Sequence, residues 1–568
     1  MSSFDDNIFG NLKEVQYLLE RRKKELNRIN LWKIIPSDPS PNEDIEIYFS
    51  MGSDSFEDKL TLYYTKDGSE PKDSDEKINL YLDEIIWDDT LWNFIKIYKG
   101  VIPGQKENTI IRYKVEKDDN IYSFSVDNFS QPNWIDETII YHIFVDRFAK
   151  GKEPVPYQEN LKTKWGGDLK GIIEHLDYIE DLGVNALWLS PIFKSPSYHG
   201  YDIIDYFEID PIKGTKEDLK ILVDKAFNKG IRIFLDFVPN HMSIQNPIFQ
   251  EALENPNSMY RKWFIFQDEL YETFPGAKSM PKIDLRYKEA RDYIIESAKY
   301  WIKNFNISGY RLDYAIGPVL DFWTDYWFKI KNEFPDTFHF GEIIDTPQKL
   351  KSFEGKLDGA LDFFLFSMIR EFFIGRKWRP NEFNAILLTK REYFNPKFKM
   401  VSFLENHDSN RFLWVAKDKK ILKLAIIFQF TQNETPIIYY GTEIGLNQYR
   451  DILENGRSLH EYNRLPMIWD EEKQDLELFS YYKKIVNIRK NHPSLYKGKY
   501  VPFSSPVLSY WKTYGEEKIL VLINQEEVEK VIELPKNMIF KNLLDEKIYK
   551  DIISIPSKEG LILKTINL

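Results

Sequence analysis

Three short stretches place carboxylates where carboxylates do chemistry: Asp313 in "GYRLDYA" (309–315), Glu342 in "FGEII" (340–344) and Asp408 in "FLENHD" (403–408). Each follows apolar, strand-like sequence, so each acid stands where a buried strand ends. Arg311 precedes Asp313 by two positions, and side chains two apart on a strand point to one face. A cation aimed beside an anion favours the charged form of that carboxylate. Glu342 has Phe340, Ile343 and Ile344 for company, and apolar surroundings raise a carboxyl pKa. Glycoside transfer with retention requires such a pair, one carboxylate ionised and one protonated, about 5–5.5 Å apart. This reading makes Asp313 the nucleophile and Glu342 the general acid/base. Asp408 and neighbouring histidines then bind sugar hydroxyls.

The residues meet only if their strands are neighbours. Apolar runs at 138–145, 184–190, 231–238, 307–313, 337–342, 358–364, 400–405 and 436–441 alternate with amphipathic segments such as "KEDLKILVDKAFNKG". That alternation predicts an α/β chain folded as a (β/α)8 TIM barrel. The sixth run is ambiguous, because "DFFLF" equally opens a helix. Catalytic residues of such barrels gather at the C-terminal ends of the strands. This places Asp236 and His241 from "DFVPNH", His199 and Tyr201 from "YHGYD", Arg311, Asp313, Glu342, His407 and Asp408 around one mouth.

Around the barrel, residues 1–35 read as a lead-in with helical spacing over 11–30, and "PSDPSPNED" (36–44) reads as a linker. Short alternating runs predict an N-terminal β-sandwich over 36–132 and a C-terminal one over 496–568. The barrel spans 133–495. Its stretch 242–285 is too long for a plain loop and reads as a small excursion domain after strand three.

The bulk numbers exclude several classes. A net charge of -12 disfavours a nucleic-acid partner. The absence of cysteine excludes disulfide and thiolate chemistry and suits a reducing compartment. No run approaches the roughly 18 apolar residues of a membrane span. No secretory h-region is visible near the start, so the expected location is cytoplasmic.

"DFVPNH", "GYRLDYA", "GEI" and "FLENHD" match, in order and spacing, the four main motifs of the α-amylase family of retaining glycosidases. "YHIFVDRF" (141–148), "WGGDLKGI" (165–172), "GVNALWLSP" (183–191), "MPKIDL" (280–285) and "IIYYGTEIG" (437–445) match secondary motifs. Over about residues 138–470 the chain resembles that family. "MPKIDL", the N-terminal sandwich and the excursion are most similar to the neopullulanase, cyclomaltodextrinase and maltogenic amylase branch. The sequence departs from that branch at "AIGPV" (315–319), where an Asn-Glu-Val-Asp-like run is usual, and in Asn406 before His407.

The resemblance implies Asp313 as nucleophile, Glu342 as acid/base and Asp408 as a third carboxylate that distorts the sugar. It implies that His241 and His407 bind the sugar, Tyr201 stacks on it and Arg311 orients Asp313, with Asp236 pairing Arg311. His199 is a further rim candidate. No cofactor is required, although Asn240 and Asp284 stand where some amylases hold a structural calcium. The implied partner is an α-glucan oligosaccharide from maltooligosaccharides, cyclodextrins, pullulan or starch fragments. The N-terminal sandwich would bind glucan, form a homodimer interface or cover the barrel. The competing readings are a glucosyl transferase of the same fold and an inactive sugar-binding barrel. A metal-dependent amidohydrolase would want paired histidines after strand one, where only His142 stands.

Overall fold

Eight parallel strands close into one ring in the computed structural model, which describes residues 29–52, 57–88, 93–267 and 270–566. In chain order they are Ile140–Ile143, Ala186–Leu189, Arg232–Phe237, Gly309–Leu312, Phe338–Gly341, Gly359–Leu361, Lys399–Phe403 and Thr435–Tyr439. Each expected run supplies one strand. The sixth does both things its sequence allowed: a strand ends at Leu361, Asp362 caps the next turn, and a helix runs over Phe363–Phe373. Pairing of Ile437 with Ile140 closes the ring. Strands buried on both faces read as continuous apolar runs. Trp188, Phe234, Phe338, Phe340, Val401 and Phe403 fill the centre, so the barrel is a packed core rather than a pore.

The helices follow from spacing and caps. Lys288–Phe305 buries Ala290, Ile294, Ala298 and Ile302, an i, i+4 stripe. Asn306 ends it in the left-handed region at φ 53° and turns the chain into strand four. Lys216–Asn228 begins with a capping box between Thr215 and Asp218. The excursion holds a helix over Pro247–Glu254 and two small hairpins, and it returns through the bridges His241–Lys282 and Phe264–Ile283. Among the described residues, no helix is long and apolar enough to cross a membrane.

The N-terminal unit is one hydrogen-bonded antiparallel sheet. Its strands are β1 (Asn30–Ile35), β2 (Ile45–Gly52), β3 (Lys59–Thr65), β4 (Glu76–Asp88), β5 (Asn93–Ile102), β6 (Thr109–Val115) and β7 (Tyr122–Val126), in the order β1-β2-β5-β4-β3-β6-β7. Phe49 of β2 nonetheless meets Tyr122 of β7 edge-on at 5.3 Å, although four strands lie between them in that order. The sheet therefore curls until its two halves share a core, which gives the sandwich its second layer. The expected helix over 11–30 lies, through residue 28, outside the described residues. From Asn30 the chain is already strand β1, so the boundary at 35 moves back, and "PSDPSPNED" is the turn between two paired strands. Arg112 of β6 and Arg291 of the barrel share Asp321 and Asp325, a mostly buried four-charge cluster that fastens sheet to barrel. At the other end, a six-stranded sheet and the pair Lys530–Glu533 and Ile552–Ile555 enclose Leu520, Leu522, Ile532, Ile553 and Leu563.

Candidate active site

Register puts the acids together. Asp236 of strand three lies beside Arg311 of strand four, and Arg311 lies beside Phe340 of strand five. Pairing continues past the strand ends: the Asp313 N–H donates to the Phe237 carbonyl at 2.8 Å and the Glu342 N–H to the Leu312 carbonyl at 2.9 Å. Arg311 is fully buried. Its Nη1 donates to Asp236 Oδ1 at 2.9 Å and to Asp313 Oδ1 at 2.8 Å, and its Nη2 pairs with Glu342 Oε1 at 2.7 Å. Asp236 also accepts from Trp188 Nε1 and from the Tyr201 hydroxyl, each at 3.0 Å. Trp188 thus does more than pack.

One cation serves three carboxylates, and burial outweighs it. Desolvation pushes Asp313 up to about 6 and Glu342 up to about 7, each against the pull of Arg311. Arg311 favours the charged form of Asp313, as its spacing suggests, but burial lifts the carboxyl above its ordinary value all the same.

Asp408 is different. Burial would raise it, but His407 and Arg464 hold it well below the usual carboxylate range. Arg464 Nη2 donates to Asp408 Oδ1 at 2.5 Å, Nε to the His407 carbonyl at 2.8 Å and Nη1 to the Tyr198 hydroxyl at 3.0 Å. His407 Nε2 lies 2.8 Å from Asp408 Oδ2 and 2.6 Å from the Tyr201 hydroxyl. The Tyr201 ring runs parallel to that of His407, with centroids 5.4 Å apart. Desolvation lowers His407 and His241 to about 4 and His199 to about 3. All three are therefore neutral near pH 7 and act as hydrogen-bonding groups rather than cations. His241 Nε2 is buried with no hydrogen-bond partner in the protein, and His199 Nδ1 accepts from the Tyr201 N–H at 3.1 Å.

The structure brings the catalytic and sugar-binding candidates to this mouth, and Asn240 of the calcium pair sits beside them, its Nδ2 3.2 Å from His241 Nδ1. Arg464 and His460, which approach Asp408 from the segment after strand eight, carry no local sequence signal. "NRLPM" has no motif spacing, and only barrel closure brings it to an acid 56 positions earlier.

Of the two calcium candidates, Asn240 has a buried Oδ1 with no hydrogen-bond partner in the protein, whereas Asp284 is already engaged. Arg286 takes both Asp284 oxygens, at 2.8 and 2.7 Å. Among the described residues, no three His, Asp or Glu side chains converge as metal ligands.

The family described as "Alpha amylase, catalytic domain" matches residues 142–498. "Alpha-amylase 2" of Dictyoglomus thermophilum is 53% identical over 567 residues, 99% of each chain. A "Cyclomaltodextrinase" of Geobacillus thermopakistaniensis is 34% identical over 74% of this chain and 76% of its own. The solved structure of a maltogenic amylase from S. marinus superposes with a TM-score of 0.70 at 26% identity, covering 94% of this chain and 82% of that one. A closed barrel, with paired acids on strands four and five and a third acid after strand seven, agrees with those matches, and the chain belongs to the α-amylase family of glycoside hydrolases.

Proposed function

We propose that this enzyme hydrolyses α-1,4-glucosidic bonds with retention, through a glycosyl-Asp313 intermediate. The observation that carries the reading is the single guanidinium shared by Asp313 and Glu342 on adjacent strand ends. Two carboxylates on one guanidinium support the spacing of about 5–5.5 Å for retention over the roughly 6.5–9.5 Å of inverting sites. Asp313 bonds to the anomeric carbon while the glycosidic C–O bond breaks and Glu342 protonates the departing oxygen. Glu342 then takes a proton from water, whose oxygen bonds to the anomeric carbon and releases Asp313. Asp408, held charged, offsets the cationic character of the transition state. Tyr201, His199, His241 and His407 contact the sugar at the cleavage point.

The substrate class follows the relatives named cyclomaltodextrinase and maltogenic amylase: maltooligosaccharides, cyclodextrins, pullulan or starch fragments. The cysteine-free sequence supports action inside the cell, and recovery of the enzyme from culture medium would count against that. Mass spectrometry after reaction with a slow-releasing fluorinated glycosyl donor should find the sugar on the Asp313 peptide. An unmodified peptide after full turnover would overturn the covalent step. Products from cyclodextrin, pullulan, soluble starch and maltotriose would then rank the substrates and show whether sugar competes with water as acceptor.

Burial raises both carboxyls, and the pair titrates together. kcat/KM should be bell-shaped, with an acid limb where the pair gains the proton that blocks Asp313 and a basic limb where it loses the proton that Glu342 delivers, both limbs lying above the ordinary carboxylate range. Glu342→Gln should erase the basic limb and lower kcat/KM on maltooligosaccharides by about 10²–10⁴-fold, with a smaller loss for a glycoside that carries a good leaving group.

A further inference from the structure

Tyr314 follows the nucleophile and has φ 43°, in the left-handed region where an aromatic L-residue is strained. Such strain persists only where the surroundings enforce it, and it concentrates at functional sites. The turn wraps Glu342. The Tyr314 N–H donates to Glu342 Oε2 at 3.0 Å, and the Ala315 N–H donates to the Glu342 carbonyl at 2.9 Å. The Tyr314 ring meets Phe274 of the excursion edge-on, with centroids 4.9 Å apart. Across from it, a Cβ on Gly317 would lie 2.1 Å from Asn240 Oδ1 and 2.7 Å from Tyr314 Cδ1. The glycine of "AIGPV", where the sequence leaves its branch, is what makes room for that ring.

We propose that Tyr314 is a positioning residue for Glu342: its left-handed backbone, braced by Phe274 and Gly317, aims an N–H at the acid/base carboxylate and fixes its orientation. This role rests on the reading of Glu342 as the acid/base. The charged groups facing Glu342 are Arg311, at 2.7 Å from Oε1, and the carboxylates Asp313 and Asp408. Arg311 and the Tyr314 N–H thus hold one oxygen each. The N–H stabilises the carboxylate that remains once the proton has left, which favours proton delivery.

Two substitutions separate backbone from ring. Asn and Val both remove the ring, but Asn tolerates φ > 0 and Val does not. Tyr314→Val should move the basic limb of kcat/KM up by about 0.5–1 pH unit, because a bond to the charged form is lost. It should also slow maltotriose cleavage about tenfold, with little change for a good leaving group. Tyr314→Asn should leave the basic limb in place. An equal shift in both variants, or none in either, overturns the proposal. If the Val variant does not fold, Tyr314→Ala replaces it and is judged by the same comparison. If the basic limb survives Glu342→Gln, the assignment of Glu342 falls and this role falls with it.

Discussion

Asp313→Asn should leave a folded protein that cleaves maltooligosaccharides roughly 10⁴–10⁶-fold more slowly, the scale of loss when a covalent nucleophile is removed. Asparagine keeps the shape and an oxygen for Arg311, but it cannot form the glycosyl ester. Stability should move the other way. The folded-state pKa of Asp313 is raised from 3.8 to about 6, so ionising it costs the native state. That cost is absent below about pH 4, grows to about pH 6 and is complete above it. The Asn variant escapes it, and near pH 7 should gain on the order of 1–3 kcal/mol. Activity assays with thermal unfolding at pH 5 and pH 8 would check both halves. Undiminished turnover, or a variant less stable at pH 8, would refute the assignment.

Arg311→Met should be the most damaging change to the fold. Arg311 is the cation shared by Asp236, Asp313 and Glu342, and its side chain and that of Asp236 are wholly buried. Stranding buried charge by removing one partner costs about 3–5 kcal/mol. The carboxyls would take up protons to compensate, so the acid limb of any residual activity should move to higher pH. Arg311→Lys keeps the charge but not the two-nitrogen fork, which is what reaches strands three and five at once. It should restore much of the stability and little of the activity. Wild-type urea unfolding at pH 7 in the Met variant would refute this account.

What the sequence revealed depended on the range of the physical rule. The pairing of Arg311 with Asp313 was legible because strand side chains alternate with period two. Glu342 was legible because neighbouring parallel strands bring their ends together. Arg464 was not, since its position depends on ring closure and on a segment without periodicity. The left-handed turn at Tyr314 was hidden because glycine or asparagine ordinarily signals positive φ, and here packing against Phe274 and Gly317 overrides that preference. Strand β1 was missed because a proline-rich run reads as a linker even when it is a turn between paired strands. The raised pKa of Asp313 was missed because sequence shows a neighbouring cation but not how completely the closed barrel buries the carboxyl.

The sharing of cations around the mouth also bears on which sugars the cell exposes to this enzyme. Asp236, Asp313, Glu342 and Asp408 share only Arg311 and Arg464, so negative charge builds up at the site as pH rises and Glu342 and then Asp236 lose their protons. A neutral glucose chain meets no penalty there, whereas a phosphate group on the sugar at the cleavage point meets like charge in a poorly solvated cleft. Above about pH 7 the mouth should therefore act as a charge filter that favours neutral glucan over phosphorylated sugar. Maltooligosaccharides bearing a phosphate on the cleaved unit should show lower kcat/KM than their neutral counterparts, by a margin that narrows as salt is added. Equal rates for the two would dispose of the filter.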